Sequence, residues 1–257
     1  MRIVFLGTGT ALNTSRFQVA TLVEVDRTYI LLDAGSSSEL MARLSNAGVS
    51  PVEVLHLFVS HLDFDHCSGM FPLVLQRTID RTVEPLNIYG TKTVIAGLRQ
   101  VLRRLCWNAT CPIRWHILSP QAVVNQNVMI EAFPVRHQQP EYEPAGAVIH
   151  TAKGCVVYSG DTAPMTKYGR SVSRCVLIHE ASFPHRDAAL AHSLGHSTPE
   201  DVRRVAEVLA CDRTFLTHVP LPTKPNVASL IDFFKEVNEE RGPMVVVDDM
   251  DAAIITW

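Results

Sequence analysis

The stretch SHLDFDHCSG, residues 60–69, follows the apolar run VEVLHLFV and places two histidines and two aspartates within six positions. His61, Asp63, Asp65 and His66 cannot share a helical face, because residues two apart on a helix project about 200° from each other. The spacing predicts a loop that the preceding strand delivers to a sheet edge, where side chains of different orientation converge on cations. Taken alone, the motif could also be a solvated polar turn, so its reading depends on what accompanies it.

Four other strand ends carry the same residue types. Asp33 closes YILLDAG, His137 closes IEAFPVRH, Asp161 closes VVYSGDT and His218 closes TFLTHV. Each is weak by itself: an aspartate before a turn is ordinary turn chemistry, and a lone histidine after a strand is more often a surface or hydrogen-bonded residue. Together they place an Asp/His set at one rim. Two divalent cations about 3.5–4 Å apart need roughly seven ligands with a bridging carboxylate, and this set supplies that number.

The rest of the chain limits the alternatives. Its 257 residues, 47% hydrophobic and 19% charged, suit one large domain, and no internal period or low-complexity tract divides them. A net charge of −3 gives no general attraction to nucleic acid or an anionic membrane. The apolar stretch before Gly7 is only four residues long, and no apolar run approaches the length of a membrane span, so a cytoplasmic protein without a membrane partner is expected. Six cysteines without a CxxC pair argue against a disulfide framework or a zinc ribbon and are expected to be mostly small buried hydrophobes. Strand patterns cluster in each half: RIVFLG, VATLVEVD, TYILLDAG and VEVLHLFVS in the first, AVIHT, CVVYSGDT, CVLIHEAS and RTFLTHV in the second. Helical patterns lie at SSSELMARLSNAG, residues 68–79, TKTVIAGLRQVLRRL, TPEDVRRVAEVLA and ASLIDFFKEVNEER. This order suggests two sheets packed face to face with helices outside.

The motifs GTGTALNTSRF, LLDAG, SHLDFDH, FPVRH, YSGDT, HEASF, LGHSTPEDV and LTHV occur in the order that they take in the metallo-β-lactamase fold superfamily. The chain resembles the branch that holds ribonuclease Z, PhnP and cyclic-nucleotide phosphodiesterases, over nearly its whole length. The resemblance implies a four-layer αββα sandwich (α/β, or α+β) formed by residues 1–257 as a single hydrolase domain. Carried over residue by residue, it implies one metal held by His61, Asp63 and His137, a second by Asp65, His66 and His218, Asp161 bridging, and Asp33 orienting a ligand histidine through its other ring nitrogen. It implies catalysis by a metal-held hydroxide, with Asp65 among the catalytic groups, His196 of GHSTPE as proton donor and Glu180 of HEASF orienting it. The family pattern HxHxDH is altered here, because Asp63 stands at the second histidine. A carboxylate there favours manganese or iron relative to an all-imidazole zinc site, so zinc, manganese and iron all stay open as the two divalent ions.

A small-molecule phosphodiester, such as a cyclic nucleotide, is the expected substrate. No long glycine- and proline-rich arm of the kind that grips transfer RNA is present between His137 and Asp161, and basic residues gather only at Arg99, Arg103 and Arg104. Relatives often dimerise, so a homodimer is compatible with the resemblance. Asp63 also keeps open a diiron enzyme using oxygen or another redox partner, and lactone or thioester hydrolysis is a variant of the leading reading; a binding protein on a decayed scaffold is disfavoured by the nearly complete ligand set. The opening GTGTAL lacks the third glycine of a dinucleotide fingerprint and reads as a tight turn that could turn Asn13, Thr14 and Arg16 toward substrate, with Arg16 either contacting a phosphate or an ordinary surface arginine. His56, His116, His150, His179, His185 and His192 lack metal-type neighbours in sequence, although His185 and His192 could line the mouth.

Overall fold

Strand β1 (Arg2–Gly7) turns Ile3 and Phe5 to one side and Val4 and Leu6 to the other, and all four are buried. A strand buried on both faces must lie in a sheet covered on both sides. The computed structural model describes residues 1–118, 121–137, 140–165, 167–168, 174–220, 235–237 and 244–257, and in it this double burial recurs through two seven-stranded sheets. The first has the order β14 (Ala252–Ile254), β1, β2 (Ala20–Val25), β3 (Thr28–Leu32), β4 (His56–Phe58), β5 (Leu86–Gly90), β6 (Ile113–Ile117). The second runs β13 (Met244–Val246), β12 (Arg213–Thr217), β11 (Cys175–Glu180), β10 (Cys155–Tyr158), β9 (Ala145–Thr151), β8 (Val128–Pro134), β7 (Gln121–Asn125).

The alternation of side chains sorts the core into three layers. Ile30 and Leu32 of β3 meet Ile130, Ile149, Val156 and Ile178 between the sheets, whereas Leu31 faces the opposite way. That outer face is covered by α1 (Glu39–Asn46), α3 (Met70–Ile79) and α4 (Lys92–Leu105) through Leu40, Leu44, Met70, Leu73, Val94 and Leu98. On the far side, Val157, Leu177 and Leu216 pack under Val202 and Val205 of α6 (Pro199–Leu209). The result is the expected helix–sheet–sheet–helix stack, and each fully buried aliphatic side chain in it contributes roughly 1.5–3 kcal/mol.

Local chemistry sets the element ends. The β2–β3 hairpin turns on Asp26 and Arg27, both at positive φ as a two-residue hairpin of this twist requires. Helix α6 starts as its sequence predicts: Thr198 caps it, Pro199 opens it, and the Asp201 carboxylate accepts from the Thr198 backbone N–H at 3.0 Å. Strands β6 and β7 were not expected from sequence. Both are edge strands among the described residues, and IRWHI is only half buried, so neither carries a strong apolar pattern. The expected helix ASLIDFFKEVNEER falls almost wholly outside the described residues. Among the described residues no helix is long and apolar enough to cross a membrane.

Strands β3 to β6 are parallel, as are β10 to β13. Strand β8 points the same way as β10, because β9 is antiparallel to both. The carboxyl ends of two parallel sets therefore emerge at one rim, the usual location of a site in such sheets.

Candidate metal centre

Asp33 follows β3 directly, His61 lies three residues beyond β4, His137 three beyond β8, Asp161 three beyond β10, and His218 immediately after β12. Asp33 and His218 adopt the left-handed region, with φ of 55° and 58°. Asp and His enter that region more readily than most residues, and here it turns both chains sharply into the rim. Gly160, at φ 59°, makes the equivalent bend before Asp161, where a Cβ would approach Ser60 to 3.0 Å. The loop expected for the SHLDFDH motif is only partly one. Asp63 precedes a one-turn helix, α2 (Phe64–Cys67), without a side-chain capping bond to it, and Asp65 and His66 lie inside it. A single turn was below the reach of the periodicity argument, and it points Asp65 and His66 inward while Asp63 stays 54% exposed.

The structure brings all seven sequence-predicted ligands together. The donor atoms of His61, Asp63 and His137 lie within 4.8 Å of one another, and so do those of Asp65, His66 and His218. Asp63 Oδ2 is 3.6 Å from His61 Nε2 and 3.4 Å from His137 Nε2. Asp65 Oδ2 is 3.6 Å from His66 Nε2 and 3.3 Å from His218 Nε2. Between the two triads, Asp161 Oδ2 stands 3.5 Å from both His66 and His218 Nε2 and 4.0 Å from His61 Nε2.

Each of the four imidazoles has its other nitrogen held from behind. His66 Nδ1 meets Asp33 Oδ2 at 2.8 Å, and His137 Nδ1 meets the Gly195 carbonyl at 3.1 Å. Both partners only accept, so both rings carry hydrogen on Nδ1. His61 Nδ1 meets Ser60 Oγ at 2.8 Å and His218 Nδ1 meets Ser182 Oγ at 2.7 Å. The two hydroxyls donate onward, Ser60 to Asp33 Oδ2 at 2.6 Å and Ser182 to Glu180 Oε2 at 2.7 Å, and therefore accept from the imidazoles. All four Nε2 lone pairs are thus directed into the centre. Asp33, fully buried, further accepts from the Tyr158 hydroxyl and the Ser60 backbone N–H. Ser60, Ser182 and Tyr158 escaped the sequence reading; for the serines the available signal was their place next to His61 and two residues after Glu180.

The donor set fits cations. His61 Nε2, His66 Nε2 and Asp161 Oδ1 are buried without any hydrogen-bond partner, which is costly unless something positively charged or coordinating meets them. Burial opposes charge on His66, but Asp161, Asp65 and Asp33 outweigh it and raise its pKa well above the ordinary value. Burial likewise opposes ionisation of Asp161, yet His218, His66 and His196 hold its pKa well below the usual carboxylate range. The neighbouring imidazoles of His137 and His61 likewise hold the Asp63 pKa well below the usual carboxylate range, against the effect of its partial burial. Such a cluster attracts protons or metal ions, and neutral imidazole with ionised carboxylate is the ligating state.

His196 and Glu180 sit beside this cluster. His196 Nδ1 is 3.0 Å from Glu180 Oε1 and 3.8 Å from Asp161 Oδ2. Burial lowers the His196 pKa, but the Glu180 charge and hydrogen bond and the Asp161 charge overcome it and bring it to about 9. Glu180 Oε1 also accepts from the backbone N–H of Thr162 and Ser197, so its position is fixed independently of the histidine.

Arg16 does not reach the centre. Its guanidinium bonds Thr8 Oγ1 and the Val247 carbonyl, each at 2.8 Å, and pairs with Asp248. Asn13 holds the opening loop closed by accepting from the N–H of Ser15 and Arg16 and donating to the Val219 carbonyl. Val219 also donates to Thr8 O, so the glycine-bearing turn braces the backbone next to His218. The remaining histidines have other partners: His56 bonds the Tyr89 hydroxyl, His116 Asn87, His150 Glu131, His179 Tyr168, His185 Thr198 and His192 Asp201.

Fold and site together define a metallo-β-lactamase-fold, metal-dependent hydrolase. Over residues 1–212 the chain matches, and belongs to, the family described as Anti-Pycsar protein Apyc1. It is 24% identical to ribonuclease Z of Methanococcus aeolicus over 311 aligned positions, covering 97% of this chain and 96% of that protein. Among solved structures it is similar to human tRNase Z, short form, with a TM-score of 0.80, 19% identity and full coverage of both chains. A diphosphatase from the PhnP family superposes with a TM-score of 0.74 at 16% identity, covering 99% of this chain and 98% of that one.

Proposed function

We propose that the protein hydrolyses a small phosphodiester, such as a cyclic nucleotide, with two divalent cations held by His61, Asp63 and His137 and by Asp65, His66 and His218, and Asp161 shared between them. The observation that supports this most directly is the convergence of four Nε2 lone pairs and three carboxylates on two adjoining positions with Asp161 Oδ2 between them. When bound, the cations supply a nucleophile from water at neutral pH and positive charge against the phosphoryl oxygens.

The chain's own residues do the rest. Glu180 fixes His196 through Nδ1 and favours its protonated form, which leaves Nε2 as the nitrogen that hands a proton to the departing alkoxide. Asp33, Ser60, Ser182 and the Gly195 carbonyl hold the ligand imidazoles in the ligating tautomer. Asp63, the one well-exposed member, marks the side from which substrate enters. Two facts support a small substrate over transfer RNA. The net charge is −3, and the alignment to ribonuclease Z is longer than this chain, so that relative carries segments which this chain lacks.

Asp63 supports the diiron redox reading as a second one, since a carboxylate suits harder or redox-active metals. Metal analysis combined with turnover of bis-p-nitrophenyl phosphate, cyclic nucleotides and lactones, with and without oxygen, separates the readings. Phosphodiester hydrolysis independent of oxygen is expected. Oxygen-dependent turnover without such hydrolysis, or lactone cleavage alone, would overturn the proposal.

A further inference from the structure

Three of the six cysteines, far apart in sequence, meet at the end of the second sheet opposite the metal centre. Cys155 and Cys175 are register partners at the amino ends of parallel strands β10 and β11. Cys211 comes from the connection between α6 and β12, directly after Ala210, which ends the helix in the left-handed conformation. Cys175 Sγ and Cys211 Sγ are 2.7 Å apart, although 36 positions separate the residues. Cys175 is fully buried, whereas Cys211 is partly exposed. Cys67, Cys106 and Cys111 lie in the other core layer, against the helices of the first sheet.

We propose that Cys175 and Cys211 form an oxidisable thiol pair, a modification site that takes a two-electron oxidant such as hydrogen peroxide and closes to a disulfide. In the first step the Cys211 thiol is oxidised to a sulfenic acid while the peroxide O–O bond breaks and one water leaves. In the second the Cys175 sulfur attacks the Cys211 sulfur, the S–O bond breaks, and a second water carries away the Cys175 proton. Two thiols have then lost two electrons and two hydrogens, and one peroxide has become two waters.

The surroundings select this pair. The neighbouring Cys155 and Cys211 thiols lower the Cys175 pKa against the effect of burial, which favours Cys175 over the other two sulfurs as the attacker in the second step. Cys155 is held in the strand ladder between Cys175 and the β9 partner His150, and so has little freedom to close on its neighbour. Cys211 lies outside the strands and can adjust. The loop that the bond would close contains Glu180, Ser182 and His196, so oxidation braces the segment carrying those groups from its far end.

The test begins with metal-loaded protein reduced with dithiothreitol and desalted, then titrated with hydrogen peroxide, alkylated and digested without reduction. Mass spectrometry should find the Cys175 peptide joined to the Cys211 peptide, with Cys67, Cys106, Cys111 and Cys155 alkylated. The oxidised protein should melt roughly 5–10 °C higher than the reduced one. Cys211→Ser should remove both the linkage and the shift while the reduced melting temperature stays near wild type, and Cys155→Ser should keep both. Alkylation of both Cys175 and Cys211 after oxidation, a Cys155–Cys175 linkage instead, or accumulation of sulfinic acid at Cys211 would each overturn the proposal.

Discussion

Asp33→Asn replaces an acceptor with a donor where three donors meet. Asp33 Oδ2 accepts from the Ser60 and Tyr158 hydroxyls, each at 2.6 Å, and from His66 Nδ1–H at 2.8 Å, while Oδ1 accepts from the Ser60 backbone N–H at 2.8 Å. Both hydroxyls can rotate and accept from an amide. The imidazole N–H cannot, unless the ring moves its hydrogen to Nε2 and so covers the lone pair that faces Asp65 and Asp161. Turning the amide over only transfers the conflict to the Ser60 backbone N–H, which is fixed. One buried donor is therefore orphaned, or His66 presents the wrong nitrogen. An orphaned buried donor costs about 1–3 kcal/mol, which corresponds to about 5- to 150-fold in binding. The measurement is metal affinity of the purified variant by competition with a chromogenic chelator, alongside circular dichroism of the metal-free protein and ¹⁵N-resolved NMR of the imidazoles. A folded variant with one site weakened about 10–100-fold is expected. Wild-type affinity with His66 still protonated at Nδ1 would refute the account of how the ring is held.

His196→Ala should leave metal content unchanged and slow turnover of a natural substrate by roughly 10²-fold or more, read from kcat with metal analysis on the same sample; an unchanged kcat would make the residue structural. Asp161→Ala should lose both metals, or at least all hydrolysis, because both triads face its Oδ2; full turnover would contradict a shared ligand. Burial and neighbouring His116 lower the His56 pKa from 6.5 to about 4, so between these values the unfolded chain binds the extra proton. The stability that this contributes is complete above pH 6.5 and lost as the pH falls toward 4. Melting curves of metal-free wild type and His56→Gln across that range should show the smaller decline in the variant, and equal slopes would exclude His56 as a contributor.

Much of the candidate centre was legible because its ligands come from strand ends, and strand ends are where an apolar run stops and a metal-capable residue follows. Asp33, His61, Asp161 and His218 each stand at such a boundary. The four-layer stack was legible for the same reason, since Ile30, Leu31 and Leu32 report burial on both faces. Elements with mixed composition stayed hidden. Among the described residues IRWHI and QAVVN pair on one side only, and the turn Phe64–Cys67 is too short for a period to show.

By itself the sequence determined which side chains are present, the order in which strands deliver them, and that Asp63 replaces an imidazole. Tertiary structure alone decided which nitrogen each imidazole turns inward, because that depends on acceptors from distant segments: Asp33 behind His66, Gly195 behind His137, Ser182 behind His218. It also decided that Arg16 is spent on Thr8, Val247 and Asp248 rather than on a ligand, and that Cys175 and Cys211 touch. Periodicity and motif spacing record local geometry along the chain, whereas hydrogen-bond partners and sulfur contacts follow from how two sheets are registered against each other.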